Sequence, residues 1–473
     1  MLKRLRQSAR TLAVVSTLAL VPLSFVEPAA AQALHFETDY SNIHQHTLEN
    51  GLELLIVENH SVPIVTIEMA VRNGAFTQDP EFSGLSHLYE HMFFKANAVY
   101  PSQEAYMARQ QELGMSWNGT TGSERVNYFF TLPSELVNEG TEFMAAALLT
   151  PQFQPEELVR EREVVLGEYD RSEANPFWHL YRATSRLLWH TYPSRKDPLG
   201  DRGAISNASV EQMTWMKDAY YVPNNSLLIF AGDITKDAAI AIAQEHFGEW
   251  ARAEDPHTLY PVPEHPPLTE DVADVVAQPL SVSTIQMSWH GPNTRESVQD
   301  TYAADVFSYI LSQGTSELQR QLVDSGLALQ AYVSYHTQRY TGPISFTVVT
   351  QQGKEAEVIE AMNRELARFA DPAYFSDQQL STAKTLLSVS DLTTQQSTLD
   401  LAHTLSFWWC SADVDYYLNY LANLEKVSRE DVQRFVERWI QGQPRATVLL
   451  TSPEVAEAWT PERVRALVQS TAR

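Results

Sequence analysis

The five residues His87-Leu88-Tyr89-Glu90-His91 place two histidines four positions apart, with a glutamate directly before the second. On a helix, residues four apart lie on the same face, so both imidazoles can reach one metal ion. Leu85, Leu88 and Met92 recur at helical spacing and would bury another face. The stretch therefore predicts an amphipathic helix that carries a metal site on its outer side.

The order H-x-x-E-H is the inverted form of a helix motif that binds zinc in proteases. A catalytic zinc ion takes three protein ligands and leaves one position open for water. His87 and His91 would be two ligands of one Zn²⁺ ion per chain. Glu90 would be the general base, which takes a proton from the attacking water and passes it to the leaving amine. A histidine pair that forms only a polar patch is the alternative, which the complete motif disfavours.

The third metal ligand must come from another part of the chain. Residues 156–171 are helical in pattern and rich in carboxylates. Glu161 and Glu168 are seven residues apart and share a helix face. One of them can bind the metal while the other supports a ligand by hydrogen bonding. The residues alone do not choose between the two.

A proline-rich segment, residues 254–269, divides the chain into two halves and is typical of an extended linker, with five prolines among polar residues. Residues 35–253 and 270–473 show the same order of predicted strands and helices. The sequence therefore predicts an α+β fold of two tandem homologous halves, clamshell-like, each with an antiparallel or mixed sheet covered by helices. Only the first half, the predicted catalytic domain, carries H-x-x-E-H.

Several strands can be predicted individually. Two strand-like runs flank Asn50-Gly51, a dipeptide that favours a tight type I′ turn. Alternating apolar residues predict a strand over Ile64–Arg72, and an apolar run predicts a buried strand over Asn225–Ala231. In the second half, Val282–Trp289 and Ile344–Val349 have strand patterns.

The N-terminus has the pattern of a secretory signal peptide over residues 1–31. Four basic residues precede the apolar run Thr11–Val26, and small residues follow up to Ala31. We therefore expect a protein exported to the bacterial periplasm, with no membrane span after cleavage. A retained membrane anchor is the alternative, which is disfavoured because the run is short and contains Pro22.

Composition excludes other classes of protein. The formal net charge of −25 over 473 residues argues against nucleic-acid binding. A single cysteine, Cys410, excludes an internal disulfide and lies in an apolar run, where we expect a buried thiol. His403 lies in an apolar helical pattern and is interpreted as a core residue whose hydrogen bonds are satisfied.

Over nearly its whole length after the signal, the sequence resembles the M16, or pitrilysin-type, metallopeptidases. The resemblance rests on Glu49-Asn50-Gly51-Leu52, on His91-Met92-Phe93-Phe94-Lys95 and on residues 161–168, close to the family's E-R-x-x-V-L-x-E signature. It implies that Glu168 is the third zinc ligand and that Glu161 supports the site. It also implies a zinc-dependent endopeptidase that acts on short or unfolded peptides.

The stretch Trp117-Asn118-Gly119-Thr120-Thr121 is similar to the family's Asn-Ala-x-Thr segment, with Gly119 in place of alanine. The resemblance implies an edge strand beside the zinc, to which a peptide substrate adds as an extra β-strand. Asn118, Gly119 and Thr120 would bind the substrate. The alternative for Asn118 is a residue that caps its own backbone.

Active members of the family carry an arginine and a tyrosine around a Gly-Leu pair in the second half. Gly326-Leu327 matches that pair and places Leu322 and Leu329 at the two positions. The resemblance to small bacterial two-subunit members therefore implies a heterodimer, in which a paralogous M16-like subunit supplies the arginine and tyrosine. Two alternatives are a peptidase that processes one specific precursor and a non-catalytic scaffold subunit. The scaffold is disfavoured because scaffolding relatives generally lose the zinc motif.

Overall fold

The structure is a computed structural model that describes residues 39–470. The predicted signal peptide, residues 1–31, lies outside the described residues. Across residues 39–470, no helix combines the length and apolar character that a membrane crossing requires.

Each half of the chain folds around one mixed sheet. The first sheet contains β1 (Ile43–Thr47), β2 (Glu53–Glu58), β3 (Ile64–Val71), β4 (Ser116–Thr121), β5 (Val126–Pro133) and β6 (Ser226–Gly232). The second contains β7 (Val272–Ala277), β8 (Val282–His290), β9 (Gln330–Tyr335), β10 (Pro343–Gln351) and β11 (Ala446–Thr451). The strand orders are β1-β2-β6-β3-β5-β4 and β7-β11-β8-β10-β9. Only β2–β6 and β7–β11 pair in parallel within these sheets, and the second sheet repeats the strand order of the first without a counterpart of β1.

Helices pack on both faces of the two sheets. Those of the first half are α1 (Leu85–Phe93), α2 (Gln103–Glu112), α3 (Val137–Leu149), α4 (Pro155–Glu173), α5 (Pro176–Leu188), α6 (Arg202–Ser206), α7 (Val210–Tyr220) and α8 (Lys236–Phe247). The segment between the halves contains α9 (Pro256–Leu259), so the predicted linker is not extended throughout. The second half contains α10 (Val298–Ser312), α11 (Glu317–Gln319), α12 (Glu355–Arg368), α13 (Asp377–Thr394), α14 (Thr398–Ser411), α15 (Val414–Leu418), α16 (Tyr420–Lys426), α17 (Arg429–Trp439), α18 (Pro453–Ala456) and α19 (Pro461–Ser470). The predicted α+β class with two tandem halves is confirmed.

The hairpin at Asn50-Gly51 differs from the predicted type I′ turn. Leu48 N donates to Leu52 O and Gly51 N donates to Leu48 O, each at 2.9 Å, which defines a three-residue loop. Gly51 has a φ of 92°, but Asn50 does not have the positive φ that a type I′ turn also requires. The Asn50 side chain instead donates to the carbonyl oxygen of Phe247 at 2.8 Å, at the end of α8. This tertiary bond explains why the prediction from the dipeptide was wrong.

The two halves exchange one helix each. α5 belongs to the first half in sequence but packs on the second sheet, where Leu180 joins Val448 in a buried apolar cluster. α14 belongs to the second half but packs on β3 and β6, where Leu405 joins Ile229. Each sheet is therefore covered on its inner face by a helix from the other half.

Candidate metal centre

Helix α1 begins at a tightly packed glycine. Gly84 precedes the helix with a φ of 91°, and a Cβ on Gly200 would lie 2.2 Å from the Gly84 Cα. The Gln78 side-chain oxygen accepts hydrogen bonds from the backbone N–H groups of Gly84 at 2.9 Å and Ser86 at 3.2 Å. These bonds satisfy donors that a helix start leaves free. Because the start is held in this way, the orientation of the histidine face is defined.

α1 and α4 bring together the three predicted metal ligands. His87 Nε2 and His91 Nε2 are 3.3 Å apart, and Glu168 Oε2 lies 3.4 Å and 3.8 Å from them. Ligand atoms placed tetrahedrally at about 2.1 Å from zinc are about 3.4 Å apart. In the described part of the chain, no other group of three histidine, cysteine or carboxylate side chains has ligand atoms within 4.8 Å of one another. The donor set and spacing fit a zinc ion with one open position.

Burial, followed by the proximity of His91, lowers the pKa of His87 to about 4. His87 is therefore neutral at physiological pH, which is the form that binds a metal. Its second ring nitrogen, Nδ1, is buried and has no hydrogen-bond partner among residues 39–470. Of the two histidines, His91 alone is oriented by a neighbouring carboxylate.

That carboxylate belongs to Glu161, whose Oε2 lies 3.2 Å from His91 Nδ1. A proton donated from Nδ1 to this carboxylate leaves the Nε2 lone pair free to bind metal. Lys95 Nζ contacts the other oxygen of Glu161 at 2.7 Å. Burial would raise the pKa of Glu161, but the hydrogen bonds from His91 and Lys95 outweigh it and hold the pKa below its ordinary value. Lys95 belongs to the matching motif at residues 91–95, but the motif alone does not reveal its contact with Glu161.

Glu90 lies beside the three ligands and contacts the edge strand β4. Its Oε2 accepts a hydrogen bond from Thr121 Oγ1 at 2.7 Å. Glu90 is only 9% exposed, and burial raises its pKa while the bond from Thr121 acts in the opposite direction. A raised pKa makes the carboxylate a stronger base, which favours the uptake of a proton from water.

Thr121 is a further candidate, which the resemblance to the Asn-Ala-x-Thr segment does not indicate, since that segment points to Asn118, Gly119 and Thr120. Side chains alternate along a strand, so Gly119 and Thr121 face α1 while Asn118 and Thr120 face the other side of the sheet. A Cβ on Gly119 would lie 2.9 Å from the Glu90 Cγ, which confirms the direction. The alternation of side chains along a strand, applied from Gly119, is the sequence signal that could have indicated Thr121.

β4 is the open edge of the first sheet, as the resemblance implies. Gly122 N donates to Arg125 O at 2.8 Å, which sets the alternation of the antiparallel ladder. Even-numbered residues of β4 therefore bond to β5, and odd-numbered residues turn their N–H and C=O groups outward. The Asn118 side chain accepts from the Gly119 N–H at 2.9 Å, so it caps neighbouring backbone as the alternative interpretation supposed.

The two positions that the family gives to arginine and tyrosine carry apolar side chains in different environments. Leu322 is fully buried in the core of the second half, and Leu329 is 49% exposed. The nearby Arg320 forms an ion pair with Glu317 at 2.9 Å. Neither leucine side chain can donate a hydrogen bond to a substrate.

The two other predicted interior side chains lie between α14 and the first sheet. His403 Nδ1 is 2.6 Å from the Oε2 of Glu68, a fully buried glutamate of β3. The prediction that its hydrogen bonding is satisfied is confirmed, although the ring is half-buried at the junction of the two halves. Cys410 is buried as predicted.

Comparison with known proteins gives a consistent assignment. The model of the insulinase family (peptidase family M16) matches residues 54–193, and the model of the peptidase M16 inactive domain matches residues 207–387. A zinc protease of Rickettsia felis, described as uncharacterized, is 23% identical over 358 residues, which cover 75% of this chain and 84% of that protein. The zinc protease PqqE of Helicobacter pylori is 20% identical over 412 residues, which cover 85% of this chain and 91% of that protein.

A solved structure shows the same fold. The first half of the periplasmic protease PqqL from Escherichia coli superposes with a TM-score of 0.73 at 16% identity, covering 91% of this chain and 97% of that one. Against the PqqL chain in its longer form, the match covers 93% of this chain but 51% of PqqL, with a TM-score of 0.74. With both family models matched in order along most of its length, the chain belongs to peptidase family M16.

Proposed function

We propose that this chain is a zinc-dependent endopeptidase that hydrolyses short or unfolded peptides. The observation that carries the proposal is the convergence of His87, His91 and Glu168 beside a buried glutamate, Glu90. The two M16 relatives described as zinc proteases support it. We assign one zinc ion per chain to the three ligands and the role of general base to Glu90.

The side chains of this chain would have separate roles in the proposed hydrolysis. When bound, zinc would polarise the scissile carbonyl and make water a stronger nucleophile. Glu90 would take a proton from the attacking water and deliver it to the leaving amine. Glu161 would keep His91 in the orientation that binds metal. Thr121 would hold one oxygen of Glu90, so that the other is free for the proton.

The open edge of β4 supports an extended substrate. A peptide that pairs with outward N–H and C=O groups must itself be extended, which favours short or unfolded chains over folded proteins. Such main-chain pairing depends little on substrate sequence. Gly119 lies at the point of this edge nearest Glu90. We assign Asn118, Gly119 and Thr120 to substrate binding: the outward backbone of Gly119 would pair with the peptide, while Asn118 and Thr120, which pair with β5, would hold that stretch of β4 in place.

A partner subunit is the second part of the proposal. Hydrolysis of a peptide develops an oxyanion, and removal of one donor to it typically costs about 100- to 1,000-fold in rate. Leu322 and Leu329 supply no such donor. The longer PqqL chain is about twice the matched length, so a further segment of about equal size accompanies the matched one in that polypeptide. We propose a heterodimer in which a paralogous subunit supplies an arginine and a tyrosine.

We further propose export to the periplasm by a signal peptide at residues 1–31. The description of PqqL as periplasmic is in line with that location. The catalytic part would be residues 35–253, joined by residues 254–269 to a metal-free part, residues 270–473.

The test is cleavage of an internally quenched, unstructured peptide by the zinc-loaded chain, alone and with an M16-like paralogue from the same genome. We expect strong activity only from the pair. Glu168→Ala should lose both zinc and activity, whereas Glu163→Gln, an exposed carboxylate on the same helix, should lose neither. A zinc-loaded pair that cleaves no peptide contradicts the proposed activity. Full activity of the chain alone contradicts only the need for a partner.

A further inference from the structure

The hairpin that carries the open edge beside Glu90 is held at its tip by the second half. Glu124 lies in the turn between β4 and β5 and is only 5% exposed. Its two carboxylate oxygens accept hydrogen bonds from the backbone N–H groups of Arg339 at 2.7 Å and Tyr340 at 2.9 Å. Those residues lie in the loop between β9 and β10, which occupy the same places in the second sheet as β4 and β5 in the first. Equivalent hairpins of the two halves thus meet at their tips.

The loop of the second half, residues 336–342, is itself under constraint. Thr341 has a φ of 94°, the only positive φ at a non-glycine residue between positions 39 and 470. Lys196, a buried residue of the first half, donates to the Thr341 carbonyl at 2.5 Å and to the Gln338 side chain. A strained backbone of this kind persists only where surrounding contacts hold it. The first half therefore fixes the loop that in turn holds its own hairpin.

A second set of bonds leaves the same turn toward α14. Arg125 donates to the carbonyl oxygen of His403 and to the hydroxyl of Ser406, both at 2.6 Å. Ser406 also donates to Glu68 in β3 at 2.5 Å, and Asn127 of β5 donates to the same carboxylate at 2.7 Å. The turn is thus attached to the metal-free half on two sides, through a loop and through a helix.

We infer that the metal-free half positions the substrate edge and the general base, with Glu124 and Arg125 as its positioning residues. Thr121, which bonds Glu90, is three residues before Glu124 on the same hairpin. The turn between them is short, so a shift of the tip moves Thr121 and the outward backbone groups of β4. Neither Glu124 nor Arg125 touches reacting atoms. The kinetic part of this inference rests on the proposed function, whereas the structural part does not.

Two variants and a matched control test the inference in the zinc-loaded full chain. In Glu124→Gln, the amide keeps one acceptor but turns an N–H group toward a backbone donor. Arg125→Met keeps an unbranched side chain but lacks the guanidinium group, so it removes both bonds to α14. The control is Asn59→Ala, because Asn59 donates to Thr398 in α14 at 3.0 Å and joins the same helix to the first half away from the hairpin. Zinc content, hydrogen exchange of the amides at 116–121, and kcat/KM with the partner are measured for each.

We expect amide exchange at 116–121 to rise at least about tenfold in both variants, with zinc content equal to that of the wild type. We expect kcat/KM to fall by about 10- to 100-fold, as misplacement of catalytic groups by an ångström does. Asn59→Ala should match the wild type in every measurement. Unchanged exchange at 116–121 in a folded Glu124→Gln or Arg125→Met overturns the inference, as does an equal rise in Asn59→Ala. If one variant does not fold, the other decides, and exchange decides even if the wild type cleaves no peptide.

Discussion

Replacement of Lys95 by methionine is expected to destabilise the zinc-free chain by about 3 kcal/mol. Lys95 Nζ is 2.7 Å from Glu161 Oε1, and the two side chains are 10% and 11% exposed. At an effective dielectric constant of about 20, attraction over this distance is about 6 kcal/mol, most of which offsets the cost of burying both charges. Removal of one partner of a buried pair leaves the other uncompensated and typically costs about 3–5 kcal/mol. We expect a destabilisation at the lower end of this range because Glu161 keeps its bond to His91.

A double-mutant cycle separates the charge pair from the orientation of His91. Urea unfolding of the zinc-free chain should show the loss in Lys95→Met and recovery of most of it in Lys95→Met/Glu161→Gln, which leaves no buried charge. Chelator competition should show a zinc affinity about 10- to 100-fold weaker both in Glu161→Gln, the other single variant of the cycle, and in Lys95→Met/Glu161→Gln. A cost below about 1 kcal/mol for Lys95→Met, or a double variant less stable than the single one, would refute this account.

Three further predictions concern the same centre. Glu90→Gln should keep zinc but lose about 100- to 10,000-fold in kcat, with Glu163→Gln as an active control; undiminished turnover would remove Glu90 from its role. Gly119→Ala should lower kcat without loss of zinc, because the new Cβ would lie 2.9 Å from the Glu90 Cγ. The control is Gly167→Ala, which should be neutral because a Cβ at that position has open space around it. Equal kcat values for the two variants would contradict the effect of this contact. The lowered pKa of Glu161 means that its ionised form contributes stability above pH 4.5, which is lost as the pH falls through the lower folded-state value. Urea unfolding between neutral pH and about pH 3 should show this acid loss in the wild type and a smaller one in Glu161→Gln.

The two histidines of the candidate metal centre could be predicted from the sequence because their geometry is local. His87 and His91 need only a helix to share a face, and the motif names that helix. Glu168 came from the family resemblance, since the carboxylates of α4 are equivalent by spacing alone. The α+β halves followed from repeated strand and helix patterns, each of which depends on neighbouring residues.

The contacts that the sequence did not reveal are tertiary. Asn50 favours one turn in isolation, but its bond to the end of α8 selects another. An apolar stripe on a helix shows that the helix is buried and does not say which sheet covers it, so the exchange of α5 and α14 was not predicted. The contacts of Glu124 could not be predicted, because its two backbone donors lie more than 200 residues away.

The exchange of helices has a consequence for how the chain acquires its structure. Glu68 of β3 and His403 of α14 are separated by 335 positions, and the inner face of the first sheet stays uncovered until α14 is present. Contacts this distant in sequence slow folding, because a long loop must close before they form. A fragment ending before the linker would expose the apolar face that includes Ile229 and would be prone to aggregate. The half that contains His87 and His91 therefore cannot complete its fold until the last hundred residues of the chain have been synthesised.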